Sequence, residues 1–138
     1  MALTARYLAD KSALARFPHP KVARRLRPLL EEGYIATCTI VDLEVLFSSR
    51  GLSDYEDVLE ERRSLDSAPI TPEVMAMAMH LQHSLARRGQ HRLAIPDLII
   101  SAAAAASGLT VIHYDADFER IAAVGGADQE WVVRRGSL

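Results

Sequence analysis

"IPDLIISAAAAASGLTVIHYD", residues 95–115, joins two elements back to back. Pro96 opens a helix where its missing N–H is no loss, and Gly108 closes it. The interior between them is apolar nearly all round, which places this helix inside a domain rather than on its surface. "LTVIHYD" (109–115) then reads as a buried strand. With His113 neutral, Asp97 is the only acidic or basic side chain between Arg92 and Asp115, and it falls in the first turn of a buried helix.

The same alternation continues outward. "ARYLAD" (5–10) is a short strand ending at an acid, followed by helical "SALARF" and "PKVARRLRPLLEEG", closed by Gly33. "YIATCTI" (34–40) is rich in β-formers, and Thr39 is expected to cap a helix in "TIVDLEVLFSSRG" (39–51), with Asp42 three residues on and Gly51 as its stop. Ser53 is expected to cap a charged, solvated helix over 53–65. Thr71 and Pro72 open a helix over 71–88 with Gly89 beyond it, in which "MAMAM" (75–79) reads as core. "ADFERIAAVGG" (116–126) is a short helix and "EWVV" (130–133) a last strand. Strands alternating with helices imply an α/β fold, a mostly parallel sheet covered on both faces in three α/β/α layers. With no repeat, low-complexity tract or linker, residues 1–138 are expected to form a single domain.

The 138 residues, 49% of them hydrophobic, suffice for a core without covalent staples. Cys38 is the single cysteine and can form neither an internal disulfide nor a thiolate metal cage. Arg6, Asp10 and Lys11 interrupt any N-terminal apolar run, so a reducing cytoplasm is the expected location. No stretch reaches the ~18–20 uninterrupted apolar residues of a membrane span. The net charge of -2 argues neither for nor against nucleic acid, because it hides arginine pairs at 24–25, 62–63, 87–88 and 134–135.

In sheets of this kind ligands gather beyond the carboxyl ends of the strands, at a topological switch point. Asp10 ends the first strand, and Asp115 and Asp117 follow "LTVIH"; all three are expected on that edge. Asp97 sits at a helix start, where the macrodipole favours a negative charge. In the helix after Thr39, the stripe Ile40, Leu43, Glu44 and Phe47 sets a carboxylate beside an apolar face, so Glu44 is expected to face inward. Singly, each acid has an ordinary role as cap, turn or face-edge residue. Together they would repel unless a cation joined them. All-oxygen ligation suits Mg²⁺ or Mn²⁺, where Zn²⁺ would want histidine or thiolate. The chemistry expected of such a site is metal-assisted phosphodiester hydrolysis.

The ordered set "YLADKSAL" (7–14), "TIVDLEVLFS" (39–48), "IPDLIISAAA" (95–104) and "HYDADFERIA" (113–122) resembles the PIN-domain ribonucleases of the VapC toxin type, along nearly the whole chain. The resemblance implies a four- or five-stranded, mostly parallel sheet and an acidic site that binds Mg²⁺ or Mn²⁺ and cleaves RNA. By position Asp10, Glu44, Asp97 and Asp115 match the family's acids, with Asp117 a less regular fifth. Ser12 matches a hydroxyl residue beside the first aspartate and is expected either to orient the site through hydrogen bonds or to cap the following helix. Lys11 departs from the family, which more often has a small hydroxyl residue there, and it is read as pointing to solvent. The resemblance also implies a small antitoxin partner and a toxin homodimer.

Arg87, Arg88 and Arg92 precede the acidic helix and are candidate RNA contacts, though arginine pairs more often lie on solvated surface. His80 and His83 have the spacing of two metal ligands, but no third ligand is evident beside them. Two rival readings remain: a PIN-like RNA- or protein-binding module without catalysis, and a phosphohydrolase in which Asp10 forms an aspartyl phosphate.

Overall fold

In a computed structural model describing residues 4–138, the chain runs β1 (Tyr7–Ala9), α1 (Lys11–Leu14), α2 (Pro20–Glu31), β2 (Ile35–Thr37), α3 (Thr39–Phe47), α4 (Leu52–Arg63), β3 (Asp66–Ser67), α5 (Pro72–Ala86), α6 (Ile95–Ala106), β4 (Thr110–His113), α7 (Asp117–Ala123) and β5 (Gln129–Trp131). The five strands pair in the order β3-β2-β1-β4-β5 and every pair is parallel. The α/β/α expectation holds, with all strands parallel rather than most.

The period of two along each strand divides the core. Leu8, Ala36 and Val111 pack on one face with Val41 of α3, Leu81 and Leu85 of α5, Ile100 of α6, and Phe118 and Ile121 of α7. Ala9, Ile35 and Ile112 pack on the other with Ala13 of α1 and Val22 and Leu26 of α2. Helices cover both faces, as a parallel sheet requires. In α6 every residue from Asp97 to Ala104 is buried, as its all-apolar reading demands. Gly108, at φ 69°, turns the chain out of that helix while the Leu109 amide donates to Ala104.

β1 is central, with β2 on one side and β4 on the other, so the chain leaves it in one direction and later returns in the opposite one. The switch point therefore lies between β1 and β4. There the Asp10 amide donates to the Ile112 carbonyl at 3.0 Å, which sets the acid after β1 beside the end of β4.

Several local expectations need correction. Thr39 is not a cap: Cys38 holds the N-cap position of α3, and Thr39 is the first helical residue. Asp42 does not close a capping box, because its Oδ1 accepts from the Thr37 hydroxyl and from Arg62 Nε, both at 2.8 Å. Ser53 lies inside α4, whose N-cap position is Gly51. The stripe proposed on α3 is split: Leu43 and Phe47 face outward, 56% and 87% exposed, whereas Ile40 packs against the core and Glu44 is half-buried; the fully buried residues of α3 are Val41 and Leu46. In "MAMAM", Ala78 is buried but Met75 and Met79 are 44% and 74% exposed. Strand β3 was not expected, since two exposed polar residues show no alternation. Thr71 does cap α5, accepting from the Val74 amide at 3.1 Å.

The helix read as wholly solvated, α4, also carries a buried arginine. Arg62 donates from Nε to Asp42 and from a second nitrogen to the Thr37 hydroxyl at 2.6 Å, tying α4 to the end of β2 and the start of α3. Arg62→Ala should lower stability by roughly 2–3 kcal/mol, because Asp42 and Thr37 lose their buried partner, whereas exposed Arg63→Ala should stay within about 0.5 kcal/mol. Urea denaturation midpoints at unchanged slope measure both.

Candidate active site

Asp10 leaves β1 in extended conformation and caps α1, its Oδ2 accepting from the Ser12 amide at 2.9 Å. It is buried at 4% exposure, and the cap uses only one of its two oxygens. Ser12 turns the other way: its Oγ accepts from the Tyr114 amide at 2.9 Å and pins the α1 turn to the end of β4. Of the two roles open to Ser12, capping falls to Asp10 and bridging to the serine.

Past β4 the chain folds back on its own acids. The Asp115 amide donates to His113 Nδ1 at 3.0 Å, and the Asp117 amide donates to Asp115 Oδ1 at 3.0 Å. Asp117 then opens α7, its Oδ1 accepting from Arg120 at 2.7 Å. Facing them, the first turn of α6 presents Asp97, 7% exposed. One carboxylate oxygen from each of Asp97, Asp115 and Asp117 lies within 4.8 Å of the other two.

Asp10 and Glu44 stand outside that trio but act on it. Burial pushes the Asp97 carboxyl up to about 8, and Asp10, Asp115, Asp117 and Glu44 all push in the same direction. Glu44 is likewise raised, first by burial and then by Asp10, against the opposing charge of Lys11. Its Oε1 is a buried oxygen with no hydrogen-bond partner. Lys11 is half-buried rather than fully solvated, and its charge is felt at Glu44. All five acids named from the sequence thus fall at one edge, but unevenly. Asp117 belongs to the tight trio, and Glu44 comes in from a helix whose apolar neighbours Leu43 and Phe47 point away.

These residues fit a hard divalent cation. The donors are all oxygens, one of them is buried and orphaned, and burial together with four neighbouring carboxylates raises the Asp97 carboxyl, a penalty that a bound cation would offset. The other candidates lie elsewhere. Arg87 and Arg88 are exposed just past α5, and Arg92 is exposed in the segment before α6. His80 and His83 are exposed on α5. Cys38 is buried, and burial pushes its thiol up.

Sequence reasoning missed His113 and Gln129. His113 is fully buried, burial pushes its imidazole below the usual range, and its Nε2 lies 2.6 Å from Gln129 Oε1. A histidine inside an apolar strand must satisfy both ring nitrogens, which was the available signal; the partner lies 16 residues away and carries none.

The raised Asp97 carboxyl couples pH to stability. Between its ordinary value near 3.8 and about 8, the folded chain holds a proton that the unfolded chain has released, so stability falls as pH rises through that window. Metal-free protein should therefore melt higher at pH 5.5 than at pH 8.5. At pH 8.5 in EDTA, Asp97→Asn should raise Tm by about 5–10 °C, and at pH 4 it should change little. Calorimetric scans across pH test this; a Tm of the wild type that climbs from pH 5.5 to 8.5 would contradict it.

Comparison with known proteins adds to this geometry. The PIN domain family model matches residues 7–124. Ribonuclease VapC21 of Mycobacterium tuberculosis is 45% identical over 137 residues, covering 98% of this chain and 99% of its own. The structure of VapBC-5 from Mycobacterium tuberculosis, a member of the VapBC family of toxin-antitoxin systems, superposes with a TM-score of 0.62 at 25% identity, covering 92% of this chain and 97% of that one. VapBC2 from Rickettsia felis, bound to a DNA fragment from their promoter, gives a TM-score of 0.72 over 91% of this chain and 97% of that one, with 19% identity.

Proposed function

This chain belongs to the PIN domain family, and from that premise we propose that it is a metal-dependent endoribonuclease, the toxin of a toxin-antitoxin pair. The observation that carries the reading is the desolvated acid cluster, in which Asp97 is pushed up to about 8 by burial and by four neighbouring carboxylates. Such crowding is costly for a structural edge and is what a cation site requires. Relatives named as ribonucleases supply the substrate class, and the toxin-antitoxin system named for VapBC-5 supplies a small antitoxin as partner.

Asp97, Asp115 and Asp117 would hold the ion, with Asp10 and Glu44 completing the acidic edge. A divalent ion held there, Mg²⁺ or Mn²⁺, would supply positive charge for the phosphoryl oxygens and make a water more acidic. In the reaction water oxygen bonds to phosphorus and one ester P–O bond breaks, leaving a phosphomonoester and a hydroxyl. Asp10 is held in place by the Ser12 amide, and Ser12 in turn fixes the β4 turn, so the chain's own part is to orient acids before substrate arrives. Lys11 and exposed Arg92 offer positive charge to the RNA backbone; Arg87 and Arg88 extend that charge past α5.

Purified protein with Mn²⁺ or Mg²⁺ should cleave single-stranded RNA, and EDTA should abolish cleavage. Asp97→Asn should cut the rate by about 100-fold or more while remaining folded, since changes one layer outside a metal site already cost ~10–100-fold. A folded wild type that binds Mn²⁺ and cleaves no RNA would favour a silent module. Stable phosphate labelling lost in Asp10→Asn would favour the aspartyl-phosphate reading.

The same reading includes a homodimer. Met75, Met79 and Ile95 are exposed around an apolar groove between α5 and α6, on the helix that carries Asp97. Light scattering should give a dimer for the wild type and a monomer for the double variant Met79→Glu, Ile95→Glu; a monomeric wild type would refute it. Among the described residues no helix is long and apolar enough to cross a membrane, and we place the protein in the cytoplasm, where a lone buried thiol such as Cys38 stays reduced.

A further inference from the structure

We propose that His113 is a positioning residue, whose unprotonated Nδ1 holds the backbone amide of Asp115 while Gln129 fixes the ring from the other side. The proposal rests on the reading of the acids as a cation site.

The backbone amide of Asp115 has a role that is not open to choice. A backbone N–H can only donate, so the 3.0 Å contact from Asp115 N requires a lone pair on His113 Nδ1. A neutral imidazole then carries its proton on Nε2. The Gln129 atom 2.6 Å from Nε2 must accept that proton, so the amide oxygen faces the ring. Turning the amide over would place two donors against each other at one end or the other. The tautomer therefore follows from the main chain, and Gln129 on β5 enforces it.

The ring is also held in place. It is fully buried, with the Phe118 ring centroid at 5.1 Å and that of Trp131 at 5.0 Å. From it a single chain of contacts reaches the acids: Gln129 to His113, His113 to the Asp115 amide, Asp115 Oδ1 to the Asp117 amide, and Asp117 to Arg120. Two of the three clustered acids thus depend on one amide. The turn needs such help because it has left the sheet. The two successive amides beyond β4 are taken by side chains, Tyr114 by Ser12 and Asp115 by His113.

A histidine that merely filled the core would be replaced better by leucine than by asparagine. One that positions Asp115 would show the opposite order in metal affinity, because the asparagine Oδ1 reaches the place of Nδ1 and can accept the same amide. Mn²⁺ binding by calorimetry should weaken about tenfold in His113→Leu, the low end for residues that orient ligands, and by no more than about threefold in His113→Asn, even where His113→Leu is the more stable of the two. Equal affinity of His113→Leu and wild type, or asparagine no better than leucine, overturns the proposal. Should neither variant fold, ¹⁵N-histidine spectra of the metal-free wild type decide: the expected signal is an unprotonated Nδ1 with the proton on Nε2, and a protonated Nδ1 overturns it. A wild type that binds no Mn²⁺ sinks the cation-site reading, while the same spectra still test the link from His113 to Asp115 by themselves.

Discussion

Five carboxylates gathered on one edge of a sheet repel one another, and burial removes the water that would screen them. Everything around the switch point can be understood as holding that edge against its own repulsion. The β1–β4 pairing brings Asp10 and Asp115 to neighbouring strand ends. Helix α6 drives Asp97 in from the opposite side and cannot swing away, because its next seven residues are buried as well. The fold supplies confinement, and the ion required by the proposed chemistry would supply the missing charge.

The cost of confinement shows in how each acid is secured. Asp10 and Asp115 accept backbone amides from their own turns, and Asp117 has Arg120. Glu44 has an orphaned buried oxygen, and Asp97 is pushed up to about 8. Strain of this kind collects where function needs it and is offset elsewhere, here by two apolar cores and by the buried Arg62 that links α4, β2 and α3.

The parts legible in the sequence were those governed by local rules. Period and punctuation revealed β1, β2, β4, α5 and α6, since Thr71, Pro72 and Gly108 act within a few residues of themselves. The acids Asp10, Asp115 and Asp117 could be set on one edge because parallel topology sends strand ends the same way. What failed depended on distant partners. Thr39 looked like a cap until Asp42 found Thr37 and Arg62, the latter 20 residues away. Arg62 looked solvated for the same reason. Glu44 was chosen by a stripe in which Leu43 and Phe47 turn out exposed while Ile40 packs against the core, so Glu44 sits at the margin of the buried face of α3 rather than within it. Two-residue β3 is defined only by its neighbour β2.

That division bears on how the site is built. Asp10 and Asp115 accept amides of their own turns, Asp117 accepts from Arg120, and Asp97 is fixed by the buried helix that carries it, while Glu44 of α3 and Lys11 of α1 act on each other through longer side chains. Acids fixed in this way would lose little freedom on binding the ion of the proposed chemistry. Groups carried on long side chains would be able to adjust to a phosphate or a water whose place changes as the ester bond breaks. Under the proposed function, the rigid part of the edge would serve the cation and the adaptable part the RNA. The side-chain anchors at Tyr114 and Asp115 keep the two parts in register, because Ser12 lies on the turn of Asp10 and His113 lies beneath that of Asp115.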